Sequence, residues 1–237
     1  DILCTDKTGT LTQDKIILHD HLDIEGTSSK EVLDYAWLNS YHQTGLRNLL
    51  DNAVIDEASK EYPDGKRIAE LSIWQKIDEI PFDFVRKMMS VVVEIDGRHR
   101  MISKGAPEEI FKRCTKYELD GEVFDMEQII LVDLKTEYEE LSADGFRVLA
   151  IAYTDFGKNR ERYSIEDEHN LILKGYVAFL DPPKSTAKKT IESLKNLGIE
   201  FKILTGDSEL VTMKICSEVS LNVKGIITGE QVEKTTD

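Results

Sequence analysis

The sequence has few cysteines, no long apolar segment and a shortage of basic residues. Its three cysteines, Cys4, Cys114 and Cys216, are odd in number and lack the paired spacing of a metal site, which is typical of a reducing compartment. No run approaches the ~18 consecutive apolar residues that a membrane helix needs, and no signal peptide is visible. We therefore expect a soluble chain without a membrane span of its own.

The charge balance limits the partners that the chain can bind. The 237 residues include 45 Asp and Glu but only 30 Lys and Arg, which gives a net charge of -15. This charge argues against nucleic acid or an anionic membrane surface as a general partner, and it also works against ATP. Any nucleotide site would therefore need locally placed Lys and Arg. The length allows one large domain or two modest ones.

The opening segment, ILCTDKTGTLT at residues 2–12, contains several residue types that can bind phosphate or take part in catalysis. Apolar residues lead into Asp6, and a turn of small hydroxyl residues and glycine follows, which predicts a short strand that ends in a carboxylate. A carboxylate at the carboxyl end of a parallel strand can act as the nucleophile that forms an aspartyl phosphate. The next N–H groups can bind phosphate oxygens, and Thr8 offers oxygen atoms suited to Mg²⁺. A plain surface turn is the alternative, because Asp and Gly favour turns.

Apolar spacing and turn residues predict the remaining elements. Helices are expected at residues 30–59 with a break near Thr44 and Gly45, and at 67–77, 107–114, 126–141, 185–197 and 208–219. Strands are expected at 2–6, 88–95, 98–103, 117–119, 122–124, 146–154, 171–180 and 199–204. The pairs Asp96-Gly97 and Asp120-Gly121 predict tight hairpin turns, and Ser185 is the expected N-cap of its helix.

A second strand end repeats the pattern of the first. Thr205-Gly206-Asp207 follows an apolar strand, as Thr5-Asp6 does. Two parallel strands that end side by side would form one phosphate site. We therefore predict that residues 1–16 and 177–237 form one α/β domain. An α+β domain with an antiparallel sheet, residues 17–176, would interrupt it.

Four motifs in this order resemble one family. The segment DKTGTLT, residues 6–12, resembles the phosphorylation motif of P-type ATPases, and KGAPE (104–108), DPP (181–183) and TGD (205–207) resemble three further motifs of that family. The resemblance implies a haloacid-dehalogenase-like, Rossmann-type phosphorylation domain, truncated in this chain, that a nucleotide-binding domain interrupts. It implies that Asp6 is phosphorylated and binds Mg²⁺ together with the Thr8 carbonyl. The other phosphate-site residues that it implies are Lys7, Thr205, Gly206 and Asp207.

The segment PFDFVRK, residues 81–87, supplies aromatic rings and cations immediately before a strand. Stacking of a base on an aromatic ring contributes roughly 1–3 kcal/mol. The resemblance points to Phe82 as the ring that stacks on adenine and to Lys87 as its cationic neighbour. Phe84 is a rival for the stacking role, and either ring could instead belong to the core.

The resemblance implies four more nucleotide contacts. Lys104 and Gly105, at the end of a strand, are expected to approach a phosphate or the base, since glycine allows a close backbone approach. Arg147, in GFRVL (145–149), resembles the arginine that the family presents to the nucleotide, although an exposed strand arginine is the alternative. Asp51 stands where family members commonly have a glutamate that contacts adenine, and its side chain is shorter than that glutamate. The segment 181–184 resembles the hinge into the phosphorylation domain, with a rigid linker as the alternative.

The expected function is that of a pump segment. Residues 40–50, SYHQTGLRNLL, look like the magnesium-transporting branch of the family. The resemblance implies ATP and Mg²⁺ as cofactors and a place on the cytoplasmic face of the membrane. The implied partners are the transmembrane and actuator domains and the rest of the phosphorylation domain.

The family's later Gly-Asp-Gly-x-Asn-Asp segment and its phosphate-contacting lysine are not in the sequence, so the chain alone is expected to be catalytically incomplete. Two alternatives stay open. One is a stand-alone phosphatase of the same superfamily, although Thr8 occupies the position where such an enzyme has an acid. The other is a nucleotide-binding module without catalysis.

Overall fold

The computed structural model describes residues 1–7, 9–13, 15–44, 48–157, 160 and 162–234. The strands are β1 Ile2–Asp6, β2 Ile17–Leu22, β3 Gln75–Asp83, β4 Met88–Ile95, β5 Arg98–Gly105, β6 Cys114–Leu119, β7 Glu122–Asp125, β8 Arg147–Phe156, β9 Leu171–Leu180 and β10 Glu200–Leu204. The α-helices are α1 Lys30–His42, α2 Leu49–Glu61, α3 Lys66–Ser72, α4 Pro107–Phe111, α5 Gln128–Ala143, α6 Ala187–Asn196, α7 Glu209–Glu218 and α8 Gly229–Glu233. None of the helices in these ranges has the length and apolar character that a membrane span needs.

Contacts divide the chain into two compact units. The first consists of Asp1–Lys15, Ser142–Phe146 and Asp181–Asp237, and the second of Ile16–Leu141 and Arg147–Leu180. The domain boundaries at residues 16 and 176 stay a prediction, and the second compact unit extends to Leu180, where β9 ends. The function assigned to each unit stays a prediction.

The first unit contains a two-stranded parallel sheet. β1 pairs with β10 in parallel, with Asp6 opposite Leu204, so the pairing predicted from the repeated strand-end pattern is confirmed. Helix α6 packs against β10, and the small core of this unit consists of Leu11, Ala187, Ile191 and Val219. Both strands therefore end at the same edge of the sheet.

The second unit contains an eight-stranded sheet. The strand order is β3-β4-β5-β8-β9-β6-β7, and β2 pairs with β9 as well. All pairs are antiparallel except β6 with β9, so the predicted antiparallel sheet is confirmed. The two Asp-Gly pairs turn as predicted, because both residues of each pair are left-handed, with φ of 47° and 74° at Asp96 and Gly97.

Helices cover one face of this sheet. Val91 and Val93 on β4 point toward α1–α3, whereas Val92 points to the opposite face and packs against Ile80, Met101 and Tyr163. Successive side chains of a strand point to opposite faces, so a strand buried on both faces needs a nearly continuous apolar run, as β4 has. Each such apolar side chain contributes roughly 1.5–3 kcal/mol when it is fully buried. The sheet and its helices thus form a rigid support for the loops at the strand ends.

Several element predictions were wrong in detail. The helix predicted at 67–77 ends at Ser72, because Gln75 pairs with Glu94 and begins β3. The helix predicted to reach Cys114 ends at Phe111, since Cys114 already pairs with β9.

Two further details differ from the sequence-based picture. The N-cap of α6 is Thr186 rather than Ser185, and β2 was not predicted at all. The break expected near Thr44 and Gly45 falls between α1 and α2, with Gly45 outside the described residues.

Candidate functional site

The end of β3 and the turn that follows it, residues 81–87 and here called the 81–87 turn, carry two exposed aromatic rings. Phe82 is 50% exposed and Phe84 is 87% exposed, and their ring centroids lie 5.3 Å apart in an edge-to-face arrangement. Rings in this position contribute little to the core, and they are available to stack on a planar ligand. Both sequence candidates for a stacking ring therefore lie at the surface.

Hydrogen bonds within the turn fix its backbone. The Asp83 carboxylate accepts hydrogen bonds from the N–H groups of Val85 at 3.0 Å and Arg86 at 2.8 Å. The N–H of Lys87 donates to the Asp83 carbonyl at 2.7 Å, and Lys87 has a left-handed φ of 51°. Left-handed backbone is costly for a residue with a side chain and persists only where its surroundings hold it. The Asp83 carboxylate thus supplies part of the hydrogen bonding that holds the turn in one conformation.

Gly105 lies directly against this turn. Met88 pairs with Gly105, and the N–H of Ala106 donates to the Lys87 carbonyl at 2.9 Å. A Cβ atom at position 105 would lie 2.3 Å from the Met88 Cβ and 2.7 Å from the Lys87 carbonyl oxygen, so only glycine permits this approach. The Lys87 ammonium lies 3.5 Å from the Glu108 Oε1 atom, with both side chains about half exposed. Lys87 and Gly105 are therefore brought together at one end of the sheet.

Lys104 is buried and paired with Asp51. Its ammonium lies 2.5 Å from the Asp51 Oδ1 atom and donates to the Ser40 Oγ atom at 2.7 Å. Asp51 also accepts hydrogen bonds from the Gln43 side chain and from the Asn48 N–H, as part of the capping box that begins α2. Burial lowers the pKa of Lys104, although the Asp51 carboxylate opposes this effect. The structure thus joins two residues that the sequence analysis treated as separate nucleotide contacts, and no sequence signal indicated this pairing.

Arg147 begins β8 at the same end of the sheet. β5 and β8 are antiparallel with Gly105 opposite Ala150, so the start of β8 lies beside the end of β5. The topology therefore places Arg147 at the sheet end that carries Lys87. Its contact with a nucleotide stays a prediction, as does a cleft that joins Phe82, Lys87 and Lys104.

A cavity of about 380 Å³ lies elsewhere in the second unit. Its lining includes Trp74, Gln75, Glu94 and Ile95, at the end of the β3–β4 hairpin opposite the 81–87 turn. It contains none of the predicted site residues.

The first unit brings together residues from three segments of the chain. The Lys7 ammonium is buried and lies 2.7 Å from the Oδ2 atoms of both Asp181 and Asp207. Asp6, the residue before Lys7, ends β1 and is exposed. Asp181 was predicted only as part of a hinge or linker, so its pairing with Lys7 is a finding of the structure. The three charged side chains form a compact cluster beside the candidate nucleophile.

The turn after β10 closes on the same cluster. The N–H of Asp207 donates to the Thr205 Oγ1 atom at 3.1 Å, and Gly206 between them is exposed. The Ser208 side chain accepts a hydrogen bond from the Val211 N–H and caps α7. Thr205, Gly206 and Asp207 thus lie at the parallel strand ends, as predicted, although their role with phosphate stays a prediction.

Thr8 lies outside the described residues. Among the residues that the structure describes, no group of three or more His, Cys, Asp or Glu side chains could hold a metal ion. The donors that the sequence analysis named, the exposed Asp6 carboxylate and the Thr8 carbonyl, are hard oxygen atoms, and their chemistry fits Mg²⁺. The Oδ1 atom of Asp181 is a further buried oxygen without a hydrogen-bond partner in the described part of the chain.

Comparison with known proteins agrees with the motifs. A family model described as "P-type ATPase, cytoplasmic domain N" matches residues 41–186, which is more than half of the chain. The "Magnesium-transporting ATPase, P-type 1" of Escherichia coli K12 is 49% identical over 238 residues, which cover 100% of this chain and 26% of that protein. The protein of the same name from Salmonella typhimurium 14028s is 48% identical over 241 residues, again 100% of this chain and 26% of that protein.

A more distant relative has a different printed specificity. The "Calcium-transporting ATPase 1" of Lactococcus lactis IL1403 is 29% identical over 252 residues, which cover 100% of this chain and 29% of that protein. The chain thus spans about a quarter of the length of the curated relatives that it matches. It belongs to the P-type ATPase family and contains the cytoplasmic domain N of that family.

Proposed function

We propose that the chain is the ATP-binding and phosphorylation region of a P-type cation pump, and that the transported cation is magnesium. The second unit would bind ATP, and the first unit, of haloacid-dehalogenase-like fold, would carry the phosphorylated Asp6. The proposal for magnesium rests on relatives that are 48–49% identical and named for magnesium transport. The whole protein would lie in a membrane, with this region on the cytoplasmic face. Its transmembrane domain, its actuator domain and the rest of its phosphorylation domain would be the partners.

The observation that carries the nucleotide part is the exposed 81–87 turn. It presents Phe82 and Phe84 on a backbone that is already fixed, so binding does not have to order the turn. An adenine base stacked on one ring would gain roughly 1–3 kcal/mol. The chain as a whole is acidic, so an ATP site needs a local positive charge. The half-exposed Lys87 ammonium, in the same turn as the rings, would supply it.

The phosphorylation part rests on Asp6. Its carboxylate oxygen would attack the γ-phosphorus of ATP, the bond from that phosphorus to the β–γ bridging oxygen would break, and ADP would leave. Water would later hydrolyse the acyl phosphate. When bound by Asp6 and the Thr8 carbonyl, Mg²⁺ would neutralise charge on the transferred group. The buried Lys7 would hold Asp181 and Asp207 in place beside this turn.

Calorimetric titration of the 237-residue chain with ATP tests the nucleotide site. We expect Phe82→Ala to raise the Kd for ATP by about 5- to 150-fold, the equivalent of one lost stacking contact. Phe124→Ala is the matched control, because Phe124 is an exposed aromatic residue at the opposite edge of the same sheet. An equal Kd for the wild type and Phe82→Ala, with Phe84→Ala also unchanged, would rule out base stacking on this turn.

A second comparison separates the two units. Lys104→Ala should weaken ATP binding clearly more than Asp6→Ala does, because Lys104 lies near the end of β5, beside the turn. There it pairs with Asp51 of α2 and hydrogen-bonds Ser40 of α1. Asp6 belongs to the other unit and would act only in the transfer step. Equal effects of the two substitutions would contradict an ATP site in the second unit.

A further inference from the structure

Glu168 is a buried carboxylate in the connection between β8 and β9. Its side chain is 0% exposed. One carboxylate oxygen pairs with the Arg86 guanidinium, and the other accepts a hydrogen bond from the Ser90 Oγ atom at 2.7 Å. Ser90 in turn hydrogen-bonds Ser103 at 2.8 Å. Both oxygens of Glu168 therefore contact groups in or next to the β3–β4 hairpin.

Arg86 connects this carboxylate to both ends of the 81–87 turn. Its Nη2 group donates to the Pro81 carbonyl at 2.7 Å, and its backbone N–H donates to the Asp83 carboxylate at 2.8 Å. Its side chain is only 13% exposed, whereas the aromatic rings between Pro81 and Arg86 are exposed. The rings thus have little packing to hold them, and the Arg86 contacts hold the backbone that carries them.

The segment that carries Glu168 is itself anchored. The N–H of Tyr163 donates to the Asp78 carboxylate at 2.7 Å, and the Tyr163 hydroxyl lies 2.8 Å from the His99 Nδ1 atom. The Arg160 guanidinium donates two hydrogen bonds to the Asp167 carboxylate, at 2.8 and 2.9 Å, in a bidentate ion pair. These hydrogen bonds hold the segment that carries Glu168 against the sheet face on which Tyr163 packs, and the Glu168 carboxylate contacts the turn from there.

Stability alone is a weak reason for such a pair. The cost of removing two charges from water largely offsets their attraction, so a buried ion pair is often no more stabilising than apolar residues of similar size. The pair instead orients the Arg86 side chain. Because Glu168 holds the guanidinium in place, its remaining N–H donors have a fixed position from which they donate to the Pro81 carbonyl. These donors are aimed at the start of the turn that presents Phe82.

We propose that Glu168 is a positioning residue of the nucleotide site: through Arg86 it holds the 81–87 turn so that Phe82 and Lys87 are preorganised for ATP. This inference rests on the proposed ATP site. It adds to that site a residue of the β8–β9 connection that does not itself touch the nucleotide. Preorganisation raises affinity because fewer groups lose conformational freedom on binding.

Hydrogen exchange without nucleotide tests the positioning directly. Glu168→Gln keeps the size of the side chain but removes its charge, and we expect the amides of residues 82–87 to exchange at least about tenfold faster. Arg86→Lys keeps a cation beside Glu168 but cannot also reach Pro81, so it should have the same effect with a smaller loss of stability. Unchanged exchange of the turn in both variants would overturn the inference whatever the affinity for ATP.

A double-mutant cycle on the Kd for ATP links positioning to binding. Glu168→Gln should raise the Kd about five- to tenfold in the wild-type background and less than about twofold in Phe82→Ala, because its effect passes through that ring. A merely structural loss would act equally in both backgrounds, and that result would overturn the inference. Asp34→Asn is the control, since it weakens another ion pair of the second unit. The Asp34 carboxylate is buried and lies 2.6 Å from the half-exposed Arg67 guanidinium, and within the described part of the chain neither residue hydrogen-bonds to the turn. This control should lower stability and leave the Kd unchanged.

The two proposals fail in different ways. If Phe82→Ala and Phe84→Ala leave the Kd unchanged, the ATP site on the turn is wrong, and the role of Glu168 in it is overturned with it. If Phe82→Ala weakens binding while Glu168→Gln does not, the ATP site stands and only the positioning role is overturned.

Discussion

The Lys7 ammonium lies 2.7 Å from the Asp207 Oδ2 atom, and the same ammonium lies 2.7 Å from the Asp181 Oδ2 atom. One buried cation thus holds two carboxylates from segments that are far apart in the chain. Without it, two like charges would share a site with little access to solvent. The pairing gives Lys7 a role in the architecture of the first unit that its place in the phosphorylation motif did not indicate.

Lys7→Met should destabilise the first unit selectively. The substitution leaves two adjacent carboxylates without a counter-charge, and we expect a loss of about 3–5 kcal/mol at pH 7. Hydrogen exchange of β1, β10 and α6 is the suitable measurement, because both tryptophans, Trp37 and Trp74, belong to the second unit. Lys189→Met, an exposed lysine on α6, is the control. Equal protection of these elements in both variants would contradict a structural role of Lys7.

The buried pair of Lys104 and Asp51 predicts strong coupling. Lys104→Met or Asp51→Leu alone leaves an unpaired buried charge and should each cost about 3–5 kcal/mol of unfolding free energy. The double variant removes both charges and should cost at least about 2 kcal/mol less than the sum of the single losses. Urea unfolding followed by tryptophan fluorescence measures this, since both tryptophans report on the second unit. Additive losses would mean that the two residues act independently.

Local chemistry explains which parts of the fold could be predicted. The hairpin turns followed from Asp-Gly pairs, whose left-handed preference is a property of the residues themselves. The strand β2 was missed because residues 17–22 show no clear alternation, and its pairing with β9 is a contact between distant parts of the chain. The helix predicted at 67–77 was too long, because apolar spacing continues through Trp74 into β3.

The same distinction applies to the candidate site. The position of Asp6 at a parallel strand end followed from a pattern within one segment, and the structure places it there. The partners of Lys7, Lys104 and Arg86 did not follow, since an ion pair depends on which distant carboxylate the fold brings near. The role of Glu168 was therefore outside the reach of the sequence.

Gly105→Ala should displace the turn that carries Lys87. The added methyl group would lie 2.3 Å from the Met88 Cβ and 2.8 Å from its Cα, and backbone cannot move aside as a flexible side chain can. We expect a loss of about 1–3 kcal/mol of unfolding free energy and a weaker affinity for ATP. Gly157→Ala is the control, because a Cβ there meets nothing within 4 Å. Unchanged stability and affinity in Gly105→Ala would show that the strands can separate at no cost.

Ionisation of Glu137 on α5 opposes folding. Partial burial raises its pKa from the ordinary value of 4.5 to about 7, and the nearby carboxylates of Asp23 and Glu140 act in the same direction. Below pH 4.5 the side chain is neutral in both the folded and the unfolded chain. Between pH 4.5 and 7 the folded chain keeps a proton that the unfolded chain loses, so the contribution of this group to stability falls as the pH rises.

Glu137→Gln should therefore stabilise the chain at pH 8 and have little effect at pH 4.5. Because Glu137 is only half-buried, solvent screens much of the penalty, and we expect a gain of about 1 kcal/mol at pH 8. Urea unfolding at the two pH values measures the difference, with Glu139→Gln as an exposed control on the same helix. A gain that is the same at both pH values would mean that the amide stabilises α5 by other contacts, and that the Glu137 carboxylate carries no penalty for its ionisation.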